Sequence, residues 1–168
     1  MEPVTFKIHV SKEDLFDFML YHNYHSMQGG LGVLISAGAL ILLIVRFRTL
    51  TPGQATALVV LALAFTVFTP LILRYRAGRQ EKRNTSFHHP ILYELTGQGM
   101  VLTQDEAHAK IAWPSVQKVI ETRRSVIVYL SPVRAFIWPR TQLADQYKAV
   151  EDMLKACLEP KKVKLKRT

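Results

Sequence analysis

Four histidines have the spacing that could hold a metal: His22 and His25 at i, i+3, and the adjacent pair His88-His89. Neutral imidazoles so placed can share a divalent ion. No cysteine or carboxylate stands beside them, however, and there is no His-Glu-x-x-His pattern, so the expectation is no metal and no cofactor. Surface or interfacial imidazoles are the plainer reading, with pH-responsive contact to headgroups as the functional one. Asp105-Glu106 pairs two carboxylates inside a turn, where they read as solvated loop charges. There is no Gly-x-Ser-x-Gly elbow and no phosphate-binding glycine loop before a helix. Cys157, the single cysteine, falls on an apolar helical stripe rather than beside a histidine. No catalytic residue is assigned, and the expectation is a protein that is not an enzyme.

The cations are the stronger signal. The formal charge of +9 is clustered in Arg74, Arg76, Arg79, Lys82 and Arg83, and in Lys161, Lys162, Lys164, Lys166 and Arg167 near the C-terminus. Beside an anionic leaflet each cation contributes ~1 kcal/mol, screened over about 8 Å at physiological salt. Such clusters serve first as topology determinants and second as a surface for anionic lipids. In the β-rich region Lys118, Arg123, Arg124 and Arg134 form a candidate rim for a lipid headgroup or a protein partner. A nucleic-acid partner is not expected, because no aromatic-plus-basic reader motif is present.

These cations flank two apolar runs within residues 27–73. Neither the stretch 27–45 nor the stretch 50–73 contains an ionisable side chain. A hydrocarbon core ~30 Å thick is crossed by roughly 20 apolar residues in a helix, so the two runs read as a transmembrane hairpin, turned at Thr51-Pro52-Gly53. Gly32 with Ser36, and Ala62 with Thr66, give small-residue faces on which the two helices can pack. Pro70 is expected to kink the second helix near its exit. The absence of ionisable groups at depth argues against ion or proton transport. Two spans put both termini on one side. The ends carry Lys7, Lys12 and the cations of residues 74–83, against Arg46 and Arg48 in the loop, which points to cytoplasmic termini and an inner (plasma) membrane. The mixed-charge start, with Glu2, Glu13, Asp14 and Asp17, does not resemble a cleavable signal peptide. Asn84-Thr85-Ser86 matches a glycosylation acceptor that has no meaning on the cytoplasmic side.

Residues 4–10 alternate, with Val4, Phe6, Ile8 and Val10 on one face, which predicts a half-buried strand. Ser11 and Asp14 then form a capping box for a helix from Lys12 to Tyr24. That helix, with Tyr21 and Tyr24 suited to the headgroup region, can also pack on the sheet. From Pro90 onward, short strands separated by turns at 8–12-residue spacing predict an antiparallel meander of five or six strands. The unbroken run Val126-Ile127-Val128-Tyr129-Leu130 reads as its central strand. A final helix capped by Thr141 carries Leu143, Tyr147, Val150, Leu154 and Cys157 on one stripe. Whether the N-terminal strand joins this sheet is left open by the sequence.

This order of elements resembles the YcxB-like family of bacterial membrane proteins. The likeness rests on Ile111-Ala112-Trp113, Lys118-Val119-Ile120-Glu121-Thr122, Tyr129-Leu130 and Phe136-Ile137-Trp138-Pro139-Arg140. It implies a C-terminal part similar to bacterial pleckstrin-homology domains, and it brings no catalytic residues. The expected fold is membrane α+β: a two-helix transmembrane hairpin inserted between an N-terminal strand-helix and a pleckstrin-homology-like antiparallel sheet closed by a C-terminal helix. The expected parts are residues 1–26 (strand and juxtamembrane helix), 27–73 (hairpin), 74–89 (basic linker), 90–159 (sheet domain) and 160–168 (basic tail). The expected function is a non-enzymatic interaction or regulatory module for a protein partner or anionic lipid. The alternatives are an accessory or immunity subunit that docks its hairpin on a partner through the Gly32/Ser36 face, and, less favoured, a His-dependent metal site or enzyme.

Overall fold

The computed structural model describes residues 2–84, 87 and 89–165. The chain divides into two compact units: a β-rich unit made of residues 1–18 and 80–168, and a helical unit of residues 19–79.

The helical unit begins within α1 (Lys12–Tyr24) and contains α2 (Met27–Arg46), α3 (Pro52–Leu63), a π-helical turn (Ala64–Phe68) and the start of α4 (Thr69–Arg83). Ser26 caps α2 by accepting from Gly29 N–H (3.0 Å). Thr51 and Gln54 form a capping box around Pro52 at the start of α3, since proline at the first turn loses no helical bond. On α2 the small residues Gly29, Gly32, Ser36 and Ala39 are the buried ones. Gly32 lies against the Phe65 ring, so that an added Cβ would strike it. Ser36 Oγ donates to the Leu61 carbonyl (2.9 Å). The expected small-residue packing is therefore present, with one correction. Ala62 is buried, but Thr66 is exposed and turns its hydroxyl back to the Ala62 carbonyl; Phe65 fills the place against Gly32. The π turn stands immediately before Pro70, where a ring without an N–H disturbs the helical ladder. Tyr24 O–H donates to the Phe65 carbonyl within that turn. The basic stretch 74–83 continues as helix α4, as its arginines, Lys, Gln and Glu favour.

The β-rich unit holds two sheets rather than one meander. β1 (Val4–Ile8), β2 (Ile91–Thr96), β3 (Gly99–Gln104) and β4 (Ala107–Ala112) form the first, all antiparallel, in that order. The second has the order β7-β6-β5-β8, from β5 (Lys118–Glu121), β6 (Ser125–Ser131), β7 (Arg134–Pro139) and the short β8 (Val163–Lys164), which runs parallel to β5. A 3-10 turn at Trp113–Ser115 parts the two sheets. Gly99 is required where β3 meets β4, because a Cβ there would enter the Ile111 carbonyl.

The N-terminal strand belongs to the first sheet. Phe6 pairs with Tyr93, and Ile8 with Ile91. Beyond the strand, His9 N–H donates to Gln142 Oε1 and Gln142 Nε2 donates to the His9 carbonyl, each at 2.7 Å. An aromatic cluster joins the two sheets: Trp138 of β7 meets Phe6 (5.1 Å) and Tyr93 (5.5 Å) edge-on. β6 is the central strand and is buried from Ser125 to Tyr129. The Ser11–Asp14 capping box is formed, with Ser11 N–H donating to Asp14 Oδ2 (3.0 Å) and Asp14 N–H donating to Ser11 Oγ (3.3 Å). α1 packs on the second sheet, where Thr122 Oγ1 donates to Asp17 Oδ2 (2.7 Å) and Phe18 lies against Tyr129.

The C-terminal helix starts later than expected. Arg140–Leu143 (α5) is a single turn, Ala144 follows at φ 37°, and α6 (Tyr147–Cys157) opens behind Gln146 without a side-chain cap. Thr141 thus lies inside α5 and caps nothing. Val150, Met153 and Leu154 of α6 are buried, while Cys157 is only half-buried.

Candidate functional site

The candidate cations lie in three places. Arg74, Arg76, Arg79, Lys82 and Arg83 are carried by α4, all exposed. Lys118 at the start of β5 and Arg134 at the start of β7 share one end of the second sheet, where the register pairs Lys118 with Tyr129 and Arg134 with Ser131. Lys118 Nζ lies 4.5 Å above the Tyr129 ring. Arg123 and Arg124 sit in the β5–β6 turn, at the opposite end. The four rim cations therefore form two pairs, not one patch. The tail splits as well: Lys162 Nζ donates to the Val116 carbonyl (3.1 Å) and Lys164 belongs to β8, whereas Lys166 and Arg167 lie outside the described residues.

Arg134 borders a cavity of about 270 Å³ in the β-rich unit. Its walls are apolar, among them Leu15, Phe18, Ile91, Tyr93 and Phe136; Gln80 and Arg134 are the polar exceptions besides the Tyr93 hydroxyl. Burial raises the pKa of that hydroxyl, so it stays neutral. Arg134 makes no ion pair with another described residue and is exposed. Sequence reasoning found Arg134 but not the cavity, whose walls come from α1, α4, β2, β6 and β7.

A second cluster was not legible beforehand. The Glu121 side chain, 1% exposed, is held by Arg140 Nη1 at 2.9 Å. The Arg140 guanidinium also stacks on the Tyr147 ring (4.9 Å). Burial, reinforced by the Glu121 carboxylate, pushes the Tyr147 hydroxyl up to about 12. The one available hint was a glutamate inside an apolar strand. Its geometry is that of a structural ion pair.

The histidines go separate ways. His25 stacks on Tyr21 and bonds its carbonyl, and His89 pairs with Asp105 (3.3 Å). His88 and the Asn84-Thr85-Ser86 acceptor reach outside the described residues. Among the described residues, no three His, Cys, Asp or Glu side chains cluster at metal-holding distance. The Gly32/Ser36 face is covered by this chain's own α3 and π turn, so a partner of the hairpin would need another face.

The stretch from the end of β2 through β7 to α6 has a known counterpart. Residues 95–154 match the family of YcxB-like proteins. The YcxB-like stretch covers less than half of the chain and leaves out β1, the hairpin and α4. It includes Lys118, Arg123, Arg124 and Arg134, together with the Glu121–Arg140 pair. No curated protein matches the chain, and no solved structure matches it.

Proposed function

We propose that this protein is a membrane-anchored binding module with no chemistry of its own. In this reading α2 and the α3–α4 helix cross the inner membrane, and a split pleckstrin-homology-like domain stands on the cytoplasmic side, where it binds a protein partner or anionic lipid.

The observation that carries the reading is the pairing of β1 with β2 across the hairpin insertion. β1 precedes both apolar helices and β2 follows them, yet they share a five-residue antiparallel register. A sheet can form that way only if both ends of the hairpin emerge on one side. Cleavage behind α2, as in a signal sequence, would strip a strand from the sheet. The helices themselves, Met27–Arg46 and Pro52–Arg83, are long and apolar enough to cross a membrane. They are not core helices, for Leu34, Ile44 and Val45 are each about 70% exposed. Water does not tolerate such surfaces without a cover. Two four-stranded sheets closed by an amphipathic helix support the pleckstrin-like reading by architecture alone.

An alkaline wash of membranes tests the anchor: the chain is expected to stay in the pellet. Recovery of a monomer in plain buffer without detergent would overturn it. A second reading, a protein partner that adds a strand, is favoured by β4. It is an edge strand of the first sheet and its side chains are exposed nearly throughout. A stoichiometric partner recovered in mild detergent and lost on Lys110→Pro, whose N–H faces away from β3, would support that reading.

A further inference from the structure

We infer that the cavity beside Arg134 takes one acyl chain of an anionic membrane lipid, with Arg134 holding the headgroup. The inference rests on the membrane-anchored reading and deepens it by naming the ligand and its seat.

Three features converge on an amphiphile with a negative end. The walls, from Leu15 and Phe18 of α1 to Ile91, Phe136 and Ile137 of the sheets, are hydrocarbon, which suits a chain rather than a sugar or nucleotide. The single charged residue among them is Arg134, exposed and without an ion pair to any described residue. A guanidinium in that position presents a planar fork to a phosphate or carboxylate. Finally, Gln80 of the lining stands on the same helix as the second apolar run, about two turns beyond Leu73. The polypeptide that frames the cavity is thus the polypeptide that leaves the hydrocarbon, and leaflet lipid is the amphiphile supplied there at high local concentration. Lys118, at the same end of the second sheet, is engaged above Tyr129 and leaves Arg134 as the anchor for the anion.

Trp138 reports on the site, since its ring packs on Tyr93 of the cavity wall at 5.5 Å and is itself fully buried. The full chain, with Trp113→Phe to remove the second indole, would be placed in phosphatidylcholine nanodiscs doped with either phosphatidylglycerol or phosphatidylcholine bearing brominated chains. The expected result is quenching of Trp138 several-fold greater with the anionic brominated lipid. Arg134→Gln should abolish the headgroup preference, and Ala135→Phe, which fills the cavity, should abolish the quenching. Equal quenching by both lipids, or quenching that survives Ala135→Phe, overturns the assignment. A chain that enters the discs but is quenched by neither lipid overturns the cavity alone. A chain that stays out of the discs overturns the membrane reading with it.

Discussion

Glu121 keeps a carboxylate almost wholly out of water, with Arg140 as its ion-pair partner. Removing the guanidinium by Arg140→Ala leaves a buried carboxylate without its ion pair. Because Arg140 is 40% exposed, water can relieve part of the loss, and the expected cost is about 2 kcal/mol. A fall in the thermal midpoint by near-ultraviolet dichroism would register it, whereas an unchanged midpoint would mean that the pair is idle. Tyr147 makes a second residue-scale prediction. Its folded pKa of about 12 lies above the ordinary 10, so below pH 10 the neutral phenol costs nothing in either state. As pH rises from 10 toward 12 the unfolded chain loses the proton first, and stability falls. Tyr147→Phe should reduce that alkaline loss. It should not erase it, because Tyr93 is shifted in the same direction. A pH series of melting curves identical to that of the parent chain would contradict this. Neither group was legible as a cluster in the sequence. Charge inside an apolar strand marked Glu121, but Arg140 and Tyr147 reach it only through the β7–α5 turn, which periodicity does not encode.

At the scale of elements, the helices were the readable part. The capping box at Ser11, the bounds of α1 and the two apolar runs follow from local signals of a few residues, and these override little else. The division into two sheets was not readable, because the 3-10 turn at Trp113–Ser115 interrupts a pattern that alternation alone continues. β8 was invisible: two residues of a basic tail carry no strand signal, and only the free edge of β5 makes them one. The turn between α1 and α2 is tightly built. Ser26 Oγ donates to the Asn23 carbonyl (2.6 Å), and a Cβ on Gly29 would run into that carbonyl oxygen, which as backbone cannot move aside. Gly29→Ala is therefore expected to destabilise this turn more than Gly32→Ala destabilises the α2–α3 packing, where the obstacle is the Phe65 ring. Limited proteolysis at residues 23–28, faster in Gly29→Ala, would read the difference. Equal rates in the two variants would contradict it.

At the scale of the whole molecule, the hairpin is an insertion between two hydrogen-bonded neighbours of one sheet. The sequence displayed the β1 alternation and the hairpin side by side, but it could not pair β1 with β2 across more than eighty residues, since a register is a property of two strands and not of one. The pairing makes the β-rich unit depend on a strand that precedes the hairpin: a chain lacking residues 2–10 is expected to insert yet leave β2 as an unpaired edge prone to aggregation. It also holds the two ends of the hairpin to one side. Single cysteines at Glu2, Gly53 and Gly97, each in a Cys157→Ser background, would be exposed to a membrane-impermeant maleimide on intact cells and after permeabilisation. Glu2→Cys and Gly97→Cys should label only after permeabilisation, and Gly53→Cys, in the exposed first turn of α3, should label on intact cells. Labelling of Gly53→Cys and Gly97→Cys under the same condition would contradict a hairpin that crosses the membrane.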